Sequence, residues 1–365
     1  MRHILIIGQT NKFVSRGGVP SYLHELEGYF SREMSNYTLL EIGNACLETE
    51  KRKSYALLTD NFFLRAYKLR KKIKEVKSKY PDLIYAINYW RELILSLDLL
   101  LRGDIILHFH GPAYLEAIFE KKSRLHVYIA KYYERFFYPK AKLVICLSNQ
   151  FKDLLIDKYG VKPSLIKVIP YGFDTSSRPK LLHRKNEKIH ILTVRRLVHR
   201  VGVGLLIDAC YLLKQMDYDF KLTIVGNGPL LDIFITQVKA YQLEGHVLFK
   251  GTIDDGELSK LFKESDVSIM PTIALEGFGI STVESLYHGV PVLGTKIGGT
   301  TEVLGKLSSD LLFEEPTADK ICEKIKSIID GEMILPTALD CQEYSILKYD
   351  IENIGSQVIE AYNGL

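Results

Sequence analysis

Short apolar runs alternate with longer amphipathic stretches through the whole chain. Runs of this kind are typical of buried parallel strands, and the amphipathic stretches are typical of helices that cover a sheet. The pattern predicts an α/β fold with two successive sheets. The predicted strands are Ile4–Ile7, Leu39–Ile42, Leu83–Ala86, Ile105–Phe109, Leu143–Leu147 and Lys167–Ile169, then His190–Val194, Lys221–Val225, Val247–Lys250, Val267–Met270 and Val290–Gly294.

The two sets of strands are separated by a polar, basic stretch. With 365 residues, the chain exceeds the length at which one hydrophobic core normally keeps growing. We therefore expect an N-terminal domain over 1–174, a linker over 175–188 and a C-terminal domain over 189–343. A final helix is predicted from Tyr344 to Tyr362.

Composition and charge narrow the class of protein. Apolar residues make up 47% and charged residues 25%, as in soluble globular proteins. The net charge of +4 hides an asymmetry, because residues 1–178 hold 29 Lys and Arg against 18 Asp and Glu, and the remainder holds 19 against 26. We therefore expect an anionic surface or acceptor to bind the N-terminal half of the chain. The basic half lacks a recognisable DNA- or RNA-binding motif, so we expect no nucleic-acid partner.

The five cysteines are scattered and odd in number, which favours reduced thiols in a cytoplasmic protein. The sequence pattern contains neither a signal peptide nor a transmembrane segment. The expected location is therefore the cytoplasm.

Two carboxylates lie eight positions apart in the segment from Pro271 to Leu304. Glu276 and Glu284 flank a loop that is bracketed by glycines, and a short helix is predicted over Ile280–His288. Free backbone N–H groups and the positive end of the helix dipole suit a phosphate, while carboxylates accept hydrogen bonds from sugar hydroxyls. The segment therefore predicts a site for a nucleotide sugar. Its expected ligand-binding residues are Gly277, Phe278, Gly279, Ile280, Ser281, Thr282 and Glu284.

This Glu-x7-Glu arrangement, with Gly289-Val290-Pro291-Val292 and Gly298-Gly299 after the helix, resembles the signature of retaining glycosyltransferases of family 4. The resemblance implies a GT-B fold, in which two Rossmann-like domains face each other across a central cleft and a C-terminal helix, about 344–365, packs back on the first domain. It also implies transfer of a hexose from a uridine or guanosine diphosphate sugar to a saccharide or lipid-linked acceptor, in bacterial surface polysaccharide or glycoconjugate biosynthesis.

The resemblance also assigns roles in the second domain. Glu276 would bind hydroxyls of the transferred sugar, and Glu284 would bind the ribose. Arg196 occupies the position of the family's phosphate-clamping arginine. The lysine that usually follows is replaced by Val201, and we expect Arg200, one residue earlier, to share its work. An arginine suits a diphosphate because its planar fork bonds two oxygens at once.

In the first domain, the resemblance places His110 at the reacting centre. His110 ends the strand-like run that begins at Ile105, and His108 is expected to be structural. Gly17 and Gly18 lie between the first strand and a helix predicted to begin near Ser21. The resemblance implies that this glycine pair shapes the floor of the cleft.

Neither a cofactor nor a metal is expected. Gly8-Gln9-Thr10 lacks the glycine fingerprint of dinucleotide-binding proteins, which argues against hydride transfer. Asp217-Tyr218-Asp219 has the spacing of a metal-binding motif, but its position before a strand predicts a turn. Two alternatives stay open: a catalytically silent partner protein that binds a nucleotide sugar, which the missing clamp lysine favours, and a nucleotide-sugar epimerase on the same fold.

Two stretches rich in Lys and Arg are predicted to be helices, one over Phe62–Tyr80 and one over Lys121–Tyr138. Solvated lysines around a buried stripe would explain both without a function. However, each basic residue near an anionic leaflet contributes about 1 kcal/mol of attraction. We therefore predict peripheral association with the inner face of the cell membrane.

Overall fold

The computed structural model describes residues 2–10, 18–42, 49–57, 59–88, 91–96, 98, 103–181 and 187–365. The chain forms two compact units. Unit 1 comprises Met1–Tyr114, Tyr128–Asp174 and Tyr349–Leu365, and unit 2 comprises Leu115–Val127 and Thr175–Lys348. The sequence did not anticipate that a short segment from the first half of the chain joins unit 2.

Each unit contains one parallel sheet, and together the sheets use thirteen strands of the described chain. The strands are β1 (His3–Ile7), β2 (Tyr37–Ile42), β3 (Arg52–Ala56), β4 (Leu83–Ile87), β5 (Asp104–Phe109), β6 (Leu143–Cys146), β7 (Ile166–Val168), β8 (Ile189–Val194), β9 (Phe220–Val225), β10 (Val247–Gly251), β11 (Val267–Met270), β12 (Val292–Thr295) and β13 (Leu312–Phe313).

The helices that we number in the described chain lie between these strands and after the last of them. They are α1 (Gly18–Glu33), α2 (Phe62–Lys79), α3 (Ala113–Phe119), α4 (Arg124–Phe137), α5 (Asn149–Tyr159), α6 (Val203–Gln215), α7 (Leu231–Ala240), α8 (Asp255–Glu264), α9 (Ile280–Tyr287), α10 (Gly299–Leu304), α11 (Ala318–Ile329), α12 (Ala338–Tyr349) and α13 (Ile351–Asn363).

The sheet of unit 1 has the order β3-β2-β1-β4-β5-β6-β7, and that of unit 2 has the order β10-β9-β8-β11-β12-β13. All described pairings are parallel. The predicted α/β class with two parallel sheets is therefore confirmed. In each sheet the strand order reverses at one point, between β1 and β4 and between β8 and β11. The carboxyl ends of strands at such a reversal are where open parallel sheets bind ligands.

Two strands were missed from the sequence, and both lie at sheet edges. The sequence of β3, Arg-Lys-Ser-Tyr-Ala, carries charge at its start, and its first three residues are only partly buried. The strand β13 has two residues. Edge strands pack against one neighbour only, so they need no long apolar run.

The predicted C-terminal helix is interrupted. Asp350 is extended, with φ −62° and ψ 134°, and its side chain accepts the N–H of Glu352 as the cap of α13. It also forms a β-bridge with Phe173. As a result α13 packs on α1 within unit 1, whereas α12 is assigned to unit 2 except for Tyr349. The helix predicted to begin near Ser21 starts at Gly18 instead.

His108 joins three elements in the core of unit 1. Its Nδ1 lies 2.8 Å from the Tyr22 hydroxyl and its Nε2 lies 2.6 Å from the Tyr362 hydroxyl. The His108 side chain, on β5, therefore links α1 to α13. Burial, together with the neighbouring His110, lowers the pKa of His108 to about 3. The structure thus supports the structural role expected for this histidine.

We predict that His108 makes unit 1 acid-sensitive. The unfolded imidazole takes a proton near pH 6.5 and the folded one only near pH 3, so its stabilising effect is full above pH 6.5 and declines as the pH falls towards 3. The slope is about 1.4 kcal/mol per pH unit. Urea denaturation at pH 7.5, 6.0 and 5.0 should give a flatter pH profile for His108→Gln than for the native chain. Parallel profiles would contradict the prediction.

Candidate active site

The strand β11 ends at Met270, and the turn after it carries the first carboxylate of the pair. Glu276 is 9% exposed, although it lies in a connecting segment. The residue before it, Leu275, has φ +57°, a conformation that costs a non-glycine residue free energy. The Arg200 guanidinium donates to the Leu275 carbonyl at 3.0 Å, which holds this turn in place. Backbone strain of this kind is concentrated at functional sites.

Arg195 is the cation that Glu276 contacts. It follows β8 directly, and its Nη2 donates to Glu276 Oε2 at 2.6 Å and to Thr272 Oγ1 at 2.7 Å. The Thr272 hydroxyl in turn donates to the same carboxylate oxygen at 3.2 Å. The strands β8 and β11 are neighbours, so the residues that follow their carboxyl ends meet at one edge of the sheet.

This contact decides the charge of Glu276. Burial by itself would raise the pKa of the carboxyl, but the charge of Arg195 and its hydrogen bond more than offset burial, so the pKa is below its usual value. Arg200 and the Thr272 hydroxyl act in the same direction. Glu276 is therefore a carboxylate at neutral pH, able to accept hydrogen bonds from sugar hydroxyls.

The second part of the site is the start of α9. Gly279 has φ +83° and precedes the helix, so the first N–H groups of α9 lie beside it. A Cβ at Gly279 would lie 2.8 Å from Thr282 Oγ1 and 3.0 Å from Thr300 Oγ1. Both threonines are fully buried, and neither hydroxyl has a hydrogen-bond partner among the described residues. Unpartnered buried hydroxyls cost about 1–3 kcal/mol each, a cost that an anion at this point would remove.

The loop between the two parts is held by a close backbone approach. Gly298, with φ +63°, has no room for a side chain, because a Cβ would lie 1.8 Å from the Glu276 carbonyl oxygen. The next N–H, of Gly299, donates to that carbonyl at 3.1 Å. The Gly298-Gly299 pair therefore fixes the position of the Glu276 backbone relative to α10.

The two arginines expected to clamp phosphate differ in environment. The Arg196 side chain is 65% exposed, and its Nη1 lies 3.7 Å from Glu120. Arg200 is 20% exposed, and its Nη2 lies 3.0 Å from Glu116. Both acidic residues belong to the segment Leu115–Val127 of unit 2. An exposed pair such as Arg196–Glu120 contributes about 0–1 kcal/mol, so an incoming diphosphate could replace it.

Other predicted residues of this segment are also placed. The Phe278 side chain is 4% exposed, which leaves its backbone as the part available to a ligand. Ser281 donates to the sulfur of Met270 at 3.7 Å. Gly277, Ile280 and Glu284 are half-buried. Glu284 lies one turn inside α9, as the sequence predicted.

In unit 1, His110 lies just beyond β5, and Asn88 lies just beyond β4. The imidazole Nε2 is 3.1 Å from Asn88 Oδ1. Because an amide oxygen only accepts, Nε2 carries the proton and Nδ1 is left as an acceptor. Burial lowers the pKa of His110 to about 4, so the ring is neutral at pH 7. The Asn88 amide nitrogen is buried without a partner among the described residues.

Gly17 lies outside the described residues, and Gly18 is the first residue of α1. Asp217-Tyr218-Asp219 lies between α6 and β9, at a turn where Asp217 has φ +62°. Within the described ranges, no group of three or more His, Cys, Asp or Glu side chains could hold a metal ion.

Sequence reasoning missed three side chains: Arg195, Thr300 and Asn88. Arg195 lies next to Arg196 in the sequence, and its residue is only 8% exposed. A signal was present, because each of Arg195 and Asn88 directly follows a strand next to the reversal of strand order, where side chains converge. Thr300 gave no such signal, since its proximity to Gly279 depends on how α10 packs.

Comparison with known proteins identifies the family. The family model described as "Glycosyl transferases group 1" matches residues 174–348, and the model "Glycosyltransferase Family 4" matches residues 16–177.

Individual relatives share about a quarter of their residues with this chain. The chain is 25% identical over 251 residues to the putative colanic acid biosynthesis glycosyltransferase WcaL of Escherichia coli K12, and 27% identical over 248 residues to the amylovoran biosynthesis glycosyltransferase AmsK of Erwinia amylovora. It is 27% identical over 186 residues to one subunit of the human phosphatidylinositol N-acetylglucosaminyltransferase. These matches cover 67%, 66% and 51% of this chain, and 60%, 58% and 38% of the relatives.

Solved structures with the same fold include Anabaena HepE in complex with UDP-glucose, with a TM-score of 0.77, 20% identity and full coverage of both chains. Sucrose-phosphate synthase from Thermosynechococcus elongatus gives a TM-score of 0.83 at 17% identity, covering 100% of this chain and 99% of that one. The fold is therefore GT-B. With the two family models together covering residues 16–348, the chain belongs to the group 1 glycosyltransferases of family 4.

Proposed function

We propose that this protein is a retaining glycosyltransferase that moves a hexose from a nucleoside diphosphate sugar to an acceptor hydroxyl. The observation that carries the proposal is the start of α9. There, two buried hydroxyls without described partners, on Thr282 and Thr300, lie close to Gly279, which directly precedes the first N–H groups of α9. Such donors suit a phosphate group.

The diphosphate would be held by α9 and by arginine. One cation about 4 Å from a phosphate, at an effective dielectric of about 20, contributes on the order of 4 kcal/mol before desolvation. Arg196 and Arg200 would supply such charges after they release Glu120 and Glu116. Glu276 would accept hydrogen bonds from the hexose, while Arg195 keeps it ionised. Glu284 would contact the ribose.

In the transfer, the bond between the anomeric carbon and the diphosphate oxygen breaks, and a bond to the acceptor oxygen forms on the same face of the sugar. The acceptor's proton passes to the departing diphosphate, so no protein base is required, and direct attack of the acceptor from the same face leaves no step for a protein nucleophile. Donors aimed at the developing negative charge lower the barrier because they are fixed before the reaction. We propose that neutral His110 acts at the reacting centre as a hydrogen-bonding group.

The relatives suggest the setting. WcaL and AmsK are named for colanic acid and amylovoran biosynthesis, which supports a growing surface polysaccharide as the acceptor. The HepE complexes contain UDP and UDP-glucose, so we propose a UDP-sugar as the first donor to test.

The experiment is a thermal-shift panel of nucleoside diphosphates, followed by UDP-glucose turnover with and without acceptor. A ligand at about 100 times its Kd adds about 2.7 kcal/mol of stability, enough to raise Tm by several degrees. Transfer to an acceptor supports the proposal. Binding without turnover would favour a silent partner protein, and conversion to a different sugar without acceptor would favour an epimerase.

We predict that Gly279→Ala weakens UDP binding by about tenfold or more, because the new Cβ meets the two threonine hydroxyls and strains a φ of +83°. Gly245→Ala is the matched control, since a Cβ there meets nothing within 4 Å. Isothermal titration with UDP measures both. Equal Kd values for the two variants would remove the start of α9 from the diphosphate site.

We predict that Arg195→Met destabilises the protein by about 3–5 kcal/mol at pH 7.5, because it leaves the Glu276 carboxylate buried without its cation. In the variant, burial without the Arg195 charge raises the pKa of Glu276. The loss of stability should therefore shrink as the pH falls and the carboxyl takes a proton. Arg196→Met, at a 65% exposed side chain, should cost about 0–1 kcal/mol. Urea denaturation would contradict this assignment if both variants lost the same stability.

We also propose that the protein associates with anionic membranes through α4. The outer side of this helix exposes Tyr128 (67%), Ile129 (52%), Tyr132 (67%) and Phe136 (41%), with basic residues such as Lys131 and Arg135 beside them. Aromatic rings next to Lys and Arg are typical of helices that lie in a bilayer interface. No helix in the described part of the chain is long and apolar enough to span a bilayer.

Replacing Tyr128 and Tyr132 by Ser should lower partitioning into anionic vesicles by at least about tenfold, since each ring removes apolar area from water. Ile233→Ser is the control, because Ile233 is 57% exposed on α7 of unit 2. Co-sedimentation with anionic and neutral vesicles at two salt concentrations measures the effect. Equal binding to both vesicle types would remove the electrostatic part of the proposal.

A further inference from the structure

A carboxylate lies buried beneath the turn that follows β5. Glu134 is on the inner side of α4 and is 0% exposed. Its Oε1 accepts the N–H of Ala113 at 2.7 Å and the Tyr138 hydroxyl at 3.0 Å. Its Oε2 accepts the Tyr159 hydroxyl at 2.9 Å and, weakly, the N–H of Tyr114 at 3.4 Å. All four partners are neutral donors.

This carboxylate caps α3 from a distance. A helix start is normally capped by Ser, Thr, Asp or Asn in the chain just before it. Here the preceding residues are His110, Gly111 and Pro112, none of which carries a side-chain oxygen that could accept an N–H of α3, and Gly111 has φ +156°. The first N–H groups of α3 are instead taken up by Glu134, 21 residues after Ala113.

The cap is costly for the protein to maintain. Burial raises the pKa of the Glu134 carboxyl to about 7, although the hydrogen bonds from Tyr159, Tyr138, Ala113 and Tyr114 act in the opposite direction. A local serine would cap α3 without burying a carboxylate. Because Glu134 lies on α4, the cap also ties the start of α3 to that helix.

What it fixes is the turn of residues 110–112. One end of this turn is held where the His110 imidazole meets Asn88, and the other end is held where Ala113 meets Glu134. Only Gly111 and Pro112 lie between these two anchors, so a shift of α3 would be passed to His110. All of these residues except part of α3 belong to unit 1.

We propose that Glu134 is a positioning residue for transfer: its carboxylate fixes the start of α3 and thereby the orientation of His110. The inference rests on the proposed role of His110. Glu134 is 0% exposed, so it would act through this turn and not by contact with the substrate. It also joins the active-site turn to α4, whose opposite face carries the exposed aromatic residues.

Glu134→Gln is the test, because the glutamine nitrogen would face groups that are themselves donors. We expect kcat for transfer from UDP-glucose to fall about 10–100-fold, the size of effect that a small misplacement of a catalytic group produces. The Kd for UDP should change by a smaller factor than kcat, because Arg196 and Arg200 contact this region only through the Glu120 and Glu116 side chains, which a bound diphosphate would replace. Hydrogen exchange should become faster in a peptide covering residues 110–119.

The control is Leu69→Ala, which lowers stability in the core of unit 1 at a fully buried position on α2. It should leave kcat and the exchange of residues 110–119 unchanged. If Glu134→Gln does not fold, Tyr159→Phe removes one donor to Oε2 and keeps the carboxylate, and it should lower kcat in the same direction by a smaller factor.

Unchanged kcat in a folded Glu134→Gln protein, or in Tyr159→Phe where that variant replaces it, would overturn the inference while leaving the proposed function intact. An equal loss of kcat in Leu69→Ala would also overturn it, because instability alone would then explain the effect. If the native protein shows no transfer, the proposed function fails first. In that case hydrogen exchange tests the cap by itself. Unchanged exchange at residues 110–119 in Glu134→Gln would overturn the cap, and faster exchange would support it.

Discussion

The ion pair between Arg195 and Glu276 is the interaction on which the site in unit 2 depends. Each partner follows the carboxyl end of a strand, and the two strands, β8 and β11, are hydrogen-bonded neighbours. A buried ion pair gains little net stability, because desolvating both charges costs nearly as much as their attraction returns. Its effect here is positional: it holds an ionised carboxylate at the edge of the sheet, beside the strained turn at Leu275.

The two buried glutamates show how partners set the state of a carboxyl group. Glu276 contacts a guanidinium, and its pKa is lowered, so it stays charged. Glu134 contacts two peptide N–H groups and two phenols, and its pKa is raised to about 7 because neutral donors offset burial only in part. A cation suits Glu276, for which we propose the role of accepting hydrogen bonds from a sugar. Neutral donors suit a group that holds a helix end.

The helix α4 has a different environment on each side. Tyr133, Glu134 and Phe137 are buried on its inner side, and the outer side exposes Tyr128 and Tyr132. The spacing of aromatic and basic residues did not reveal this division, since tyrosines occur on both faces. Under the two proposals made above, α4 would serve membrane binding through its outer face and sugar transfer through the cap that its inner face provides for α3.

The sequence alone determined the class of fold, most of the strands and the family. Apolar runs are set by burial on both faces of a parallel sheet, and the Glu-x7-Glu segment is contiguous, so both are visible in one dimension. The interior strands were found for this reason, and the edge strand β3 was not, because its outer side needs no apolar residues.

Tertiary structure decided which charged side chains turn inward. Arg195 and Arg196 are adjacent and chemically identical, yet one is buried against Glu276 and the other is 65% exposed. Likewise, the proximity of Thr300 to Gly279 and of Glu134 to Ala113 comes from the packing of separate helices. Contacts between residues distant in the chain depend on that packing, and no local pattern of residues encodes them.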